Sequence, residues 1–153
     1  MVSFNPLFIG EYMEILTIVT FVRHLVDDSI EPFEFSDDRL SALTITAASF
    51  VNMDISASYT ISMCSQSITP EPDSKFINLV SLKAACMLMR SVHTSWARND
   101  FRVSDGPTTV DVKGMADKIK AAADDLCEQY EKSKLYYLFS NSGCIISTPN
   151  SDS

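Results

Sequence analysis

The sequence predicts a mainly α-helical domain, a four-helix bundle-like body carrying short β-strand and extended-arm segments. Three observations predict it. Four long stretches repeat apolar residues at helical spacing. Strict strand alternation is confined to short runs between them. The four glycines, Gly10, Gly106, Gly114 and Gly143, all fall at proposed boundaries, where a residue without Cβ relieves tight backbone geometry. With 153 residues the chain reads as one domain over 1–143, with an arm at about 100–113 and an extended tail over 144–153. That length suffices to bury roughly 70% of the unfolded surface.

The first helix is expected from about Glu11 to Asp28. Glu14, Thr17, Thr20, His24 and Asp27 form its polar stripe, and Ile15, Ile18, Val19, Val22, Leu25 and Val26 cover the rest. Ser29-Ile30-Glu31-Pro32 ends it. The apolar run Ile15 to Val22 is too short to span a membrane, which needs about 20 apolar residues, and no basic region precedes it. A soluble protein is the expectation. The second helix starts at Ser36, an N-cap residue type, with Asp37 and Asp38 set against the positive end of the helix dipole. Leu40, Leu43, Ala47, Phe50 and Val51 mark its inward side, and it fades near Asn52 to Asp54.

A change of period follows. Tyr59, Ile61 and Met63 alternate with Thr60, Ser62 and Cys64, as in a half-buried strand. Thr69-Pro70-Glu71-Pro72-Asp73 then breaks the chain. The third helix begins at Asp73 or Ser74 and extends toward Ala97, with Phe76, Leu79, Val80, Cys86 and Met87 on one side and the Lys83 stem able to cover apolar surface. The fourth runs from about Lys113 to Phe139, with Ile119, Ala122, Leu126, Tyr130 and Tyr137 inward and a Glu128–Lys132 ion pair outward. Tyr136 and Tyr137 are adjacent, so one of them points away from the core.

Three segments stay outside this bundle: Ser58 to Ser67, Phe101 to Val112, and Cys144-Ile145-Ile146. Exposed strand edges invite pairing with another chain. Two arrangements follow: strand addition between neighbouring subunits, or internal pairing into one small sheet.

The formal net charge of −8, from 12 basic and 20 acidic residues, argues against a nucleic-acid-binding surface of clustered cations. An acidic wall instead repels phosphate, as a DNA conduit requires. Cys64, Cys86, Cys127 and Cys144 lie far apart without metal-ligand spacing. They read as reduced, structural cysteines of a reducing cytoplasm. The two histidines, His24 and His93, have no nucleophile and orienting acid placed for general-base work. Asp27 and Asp28 near His24 read as solvated partners. Asp37-Asp38 and Asp124-Asp125 cannot converge, since adjacent helical residues point about 100° apart. No catalytic, cofactor or metal site is expected, and no enzyme.

The segments FSDDRLSALTITAASFV, YTISMCSQSITPEP, FINLVSLKAACMLMRS, VSDGPTTVDVKG and CEQYEK, in that order, resemble head-to-tail adaptor (connector, neck) proteins of tailed bacteriophages, those of marine myophages above all. The resemblance covers about Val22 to Pro149 and rests on segment order and pattern. It implies a mostly helical subunit in a homo-oligomeric, twelvefold ring docked under the portal protein, meeting other neck and tail proteins, lining the DNA conduit and touching passing DNA without sequence specificity. It implies a place in the virion neck after assembly in the host cytoplasm. By position, Phe101, Val103, Asp105, Gly106, Val110 and Val112 match the projecting arm. Cys144, Ile145, Ile146 and Pro149 match a C-terminal tail that reaches the portal or a neighbour. Residues before Val22 depart from the family by being unusually apolar. The rival expectations are a small monomeric binding or regulatory domain, and a head-closure or tail-terminator subunit.

Overall fold

The computed structural model describes residues 13–100 and 112–141. The element order is β1 (Met13–Glu14), α1 (Ile15–Leu25), α2 (Asp37–Asp54), β2 (Thr60–Ser62), β3 (Ser67–Thr69), α3 (Ser74–Asp100) and α4 (Val112–Asn141). The mainly helical, bundle-like class is observed, with α3 packed against all three other helices. Its burial explains why: Leu79, Val80, Leu82, Ala84, Ala85 and Leu88 are all buried around its circumference. A helix apolar on every side can only sit at the centre. Small residues at 84 and 85 let its neighbours approach closely.

The first helix is shorter at both ends than its apolar pattern suggests. Glu14 lies in β1, paired with Ser67, and Ile15 N–H donates to the Gln66 carbonyl at 3.1 Å. At the other end Asp27 takes φ 59° and Asp28 N–H donates to the Arg23 carbonyl at 2.9 Å. That six-to-one bond over a left-handed residue is a Schellman closure, tolerated by Asp where Gly is commoner. The second helix begins as expected, with the Ser36 hydroxyl accepting from Arg39 N–H. It ends on the same device: Ser56 has φ 52°, Ser56 N–H reaches Met53 O, and Ala57 N–H reaches Asn52 O. Within α2, Leu40, Ala47 and Val51 are buried, whereas Phe50 is exposed. Thr44 and Ile45 take the inward place that Phe50 was expected to share.

The segment after α2 pairs within its own chain. Asn52 clasps Tyr59, donating to its carbonyl at 3.0 Å and accepting from its N–H at 3.1 Å. The chain then folds into a hairpin in which Ile61 faces Ile68, while Met13 pairs with Ile68 on the far side. A three-stranded antiparallel sheet of order β1-β3-β2 results. Internal pairing is therefore the arrangement adopted by this segment. The alternation was misleading at its end, because Met63 and Cys64 belong to the turn and Gln66 at φ 49° closes it. Buried Ile68 anchors the sheet to the helices.

Asp73 caps α3, its carboxylate accepting from Phe76 N–H at 2.7 Å. Phe76 is fully buried and tilts against the Tyr59 ring, centroids 4.2 Å apart. The last helix runs antiparallel to α3. Ala123, Leu126, Cys127 and Tyr130 face inward, while Ala122, expected inside, is exposed one position off the seam. Tyr137 packs against the core and Tyr136 is 72% exposed, resolving the adjacent pair.

Candidate functional site

Two polar junctions and two apolar surfaces are the features with chemical or binding content. The first junction ties α1 to α2. Arg23, only 6% exposed, forms an ion pair with buried Asp28. Its other nitrogen donates to the Phe35 carbonyl at 2.8 Å and to the Asp37 carboxylate at 2.7 Å. Asp28 also accepts from Glu34 N–H at 2.7 Å and Phe35 N–H at 3.3 Å. The Phe33 ring lies over the guanidinium at 4.0 Å. Both terminal nitrogens of the guanidinium are thus engaged, as a buried charge requires. Asp28 was expected to be a solvated neighbour of His24. Instead the Schellman turn at Asp27 swings it inward. His24 stays exposed, with Nδ1 2.7 Å from the Thr20 carbonyl.

The second junction ties α2, α3 and α4. The Tyr130 hydroxyl donates to the Asp54 carboxylate at 2.6 Å. Lys83 and Lys134 stand 3.8 Å and 4.0 Å from the same carboxylate, and over the Tyr130 ring at 4.5 Å and 5.3 Å. Burial, then the Asp54 hydrogen bond and negative charge, push the phenol well above its ordinary range. A tyrosine held that firmly in its protonated form serves as a donor and a spacer, a poor general base. Lys83 behaves as its stem predicted, covering aromatic surface with a partly buried side chain.

Beside this junction, Cys86 and Cys127 form a disulfide. This corrects the reading of the cysteines as reduced. The antiparallel seam of α3 and α4 places the two Cα atoms 4.9 Å apart, within bonding range, although 41 positions separate them in sequence. No local motif encodes that proximity. A bonded pair is uncommon in a reducing cytoplasm, so the cysteine pattern does not carry the compartment. Cys64 is free and exposed.

The apolar surfaces lie on α1 and near the end of α4. Phe21 and Leu25 of α1 are 51% and 38% exposed; Leu135 and Tyr136 of α4 are 50% and 72% exposed. A groove of about 450 Å³ runs between α1 and α3, floored by Phe21, Leu25 and Ile77. A smaller cleft between α3 and α4 is lined by Lys75, Asn78, Lys132, Tyr136 and Tyr137 among others. Asn78 borders both.

Of the residues singled out in sequence, Val112 opens α4. Phe101, Val103, Asp105, Gly106, Val110, Cys144, Ile145, Ile146 and Pro149 lie outside the described residues. The segment 101–111 joins the adjacent ends of α3 and α4. Asp37 is committed to Arg23, and Asp125 accepts from Gln129 at 2.8 Å. Among the described residues no group of three or more His, Cys, Asp or Glu is disposed to hold a metal ion, and no helix is long and apolar enough to cross a membrane. Comparison with protein-family models, with curated proteins and with solved structures finds no match.

Proposed function

We propose that this chain is a structural subunit of a tailed-phage neck, an adaptor that forms a ring between the portal of the head and the tail and lines the DNA conduit. It acts by shape and interface formation, not by catalysis. The observation that carries the reading is the pair of unlike apolar surfaces, Phe21 and Leu25 on α1 and Leu135 and Tyr136 on α4. Contacts between two different patches are heterologous, and heterologous contacts build rings where the rotation between subunits closes and open filaments where it does not. The helical body, the net charge of −8 and the resemblance of segment order support the same reading.

In this reading the segment Phe101 to Val112 is the arm that reaches a neighbour, anchored by α3 and α4, whose long antiparallel pairing holds its base. The strand Thr60–Ser62 is paired with β3 on one side and forms an edge of the sheet. Burial of each arm, repeated around a twelvefold ring, would make assembly cooperative. Portal and other neck proteins would cap the two faces, and an acidic lumen would let DNA pass without trapping it.

The test is the stoichiometry of this chain against the portal protein in purified particles of the phage that encodes it. A ratio near one to one is expected; absence from the particle overturns the reading. A second test replaces 101–111 by a short Gly-Ser linker. The helical circular dichroism should persist and ring formation should disappear, and unchanged assembly would sink the arm. The internal β2–β3 hairpin favours a second reading, a small monomeric binding or regulatory domain. Light scattering of the purified chain with portal rings separates the two.

A further inference from the structure

Two surface features of the subunit complement each other. The first is the tip of the loop between α1 and α2. Ile30 is 82% exposed, more than any other large apolar side chain among the described residues. Its loop is nonetheless held in place. Asp28 accepts from Glu34 and Phe35 N–H, and Arg23, paired with Asp28, donates to the Phe35 carbonyl. Exposed carboxylates flank the tip at Asp27, Glu31 and Glu34, and none has an ion-pair partner among the described residues.

The second is the cleft of about 340 Å³ between the start of α3 and the later turns of α4. Buried Leu79 and half-buried Tyr137 give it an apolar floor, with Lys75, Lys132 and Tyr136 around them. No carboxylate lines it. Glu128 already holds Lys132 at 2.6 Å, whereas Lys75 has no ion-pair partner among the described residues. We propose that the loop tip of one subunit seats in this cleft of a second copy, Ile30 on the Leu79–Tyr137 floor and Glu31 paired with Lys75. This rests on the ring reading and names the contact that builds the ring.

Three arguments select that occupant. In a chain of net charge −8, a cleft with two lysines and no carboxylate is the exception, and the loop brings the opposite sign around an apolar tip. The tip is also ordered in the free subunit, so docking does not bear the cost of ordering a loop. An apolar anchor filling a pocket supplies much of the energy of an interface. Finally, the loop does not reach its own cleft. Arg39, at the start of α2, meets the Ser91 hydroxyl at 3.5 Å, about 24 Å along α3 from Lys75 at 1.5 Å per residue. Tip and cleft are thus well separated on one subunit. The contact is heterologous, and each copy offers one of each.

The test mixes two variants of the full chain, each broken on one side of the contact. Ile30→Ser loses the tip and keeps the cleft; Lys75→Glu/Tyr136→Ala loses the cleft and keeps the tip. All three positions are exposed, so the helical circular dichroism should match the parent. Sedimentation velocity is run across the concentrations at which the parent assembles. Each variant alone should need at least about tenfold more protein to associate. An equimolar mixture should give a one-to-one dimer and stop there, because only one intact contact can form per pair. Reversing both charges in one chain, Glu31→Lys/Lys75→Glu, should return assembly to within about threefold of the parent. Variants that assemble as the parent does overturn the contact and leave the ring reading standing. A mixture that builds full rings, or one that stays monomeric, overturns the contact as well. A parent that stays monomeric even on portal rings overturns both.

Discussion

The Arg23 junction and the Tyr130 junction solve the same problem, joining helices through polar groups, in opposite ways. Arg23 and Asp28 are almost wholly buried, and each is satisfied several times over by side chains and by the backbone of the α1–α2 loop. Around Tyr130 the charges stay partly in water: the side chains of Asp54, Lys83 and Lys134 are 34%, 23% and 19% exposed. The nearby Cys86–Cys127 bond joins α3 and α4 covalently. The lesson is that buried charge depends on completeness, whereas a half-exposed cluster tolerates loss because solvent can replace a missing partner.

Asp28→Ala should break the comparison most severely. It leaves the Arg23 guanidinium buried with only a carbonyl and exposed Asp37, at a cost of about 3–5 kcal/mol. Urea denaturation followed by circular dichroism measures it, and a loss below 1 kcal/mol would mean that water already reaches Arg23. The pair Cys86→Ser/Cys127→Ser comes next. Opening a loop of 41 residues should cost about 2–4 kcal/mol, read from the same titrations with and without reductant. Equal stability of parent and variant under oxidising conditions would show that the seam alone holds α4.

Tyr130→Phe should be milder, about 1–2 kcal/mol, since Asp54 keeps both lysines. It also sharpens the electrostatics. The folded-state pKa of Tyr130 is raised above its unfolded value, first by burial and then by Asp54. Its contribution is therefore complete below pH 10.0, the unfolded value, and is lost as pH rises beyond it. Tyrosinate absorbance should show one phenol ionising only with unfolding, and the Phe variant should lose that component. The smallest effect belongs to Glu128→Gln. Lys132, through its hydrogen bond and then its charge, lowers the Glu128 pKa. Any contribution is present above the unfolded pKa and lost as pH falls through the folded one, and full exposure should leave the melting temperature unchanged within error.

Much of this architecture was legible in the residues. The period of Leu79, Val80 and Cys86, the Ser36 cap and the Asp73 start are local facts, settled within a turn or two of helix. The Phe50 and Ala122 positions were misjudged because a stripe gives direction only to within a fraction of a turn. The candidate interface is legible only in outline. Val112 is the single one of its residues on a described element, and the exposed face of α1 emerges once α3 claims the other side.

The sequence by itself determined the helices, their approximate limits and the absence of clustered cations, because propensity, capping and apolar period act over a few residues. Tertiary structure alone decided the rest. It turned Asp28 inward to Arg23, gave Ile61 a partner in Ile68, brought Cys86 to Cys127 and left Phe21 at the edge of a groove. The first two rest on turn geometry over five to seven residues, and the last two on which helix faces which, a choice made by packing residues tens of positions apart.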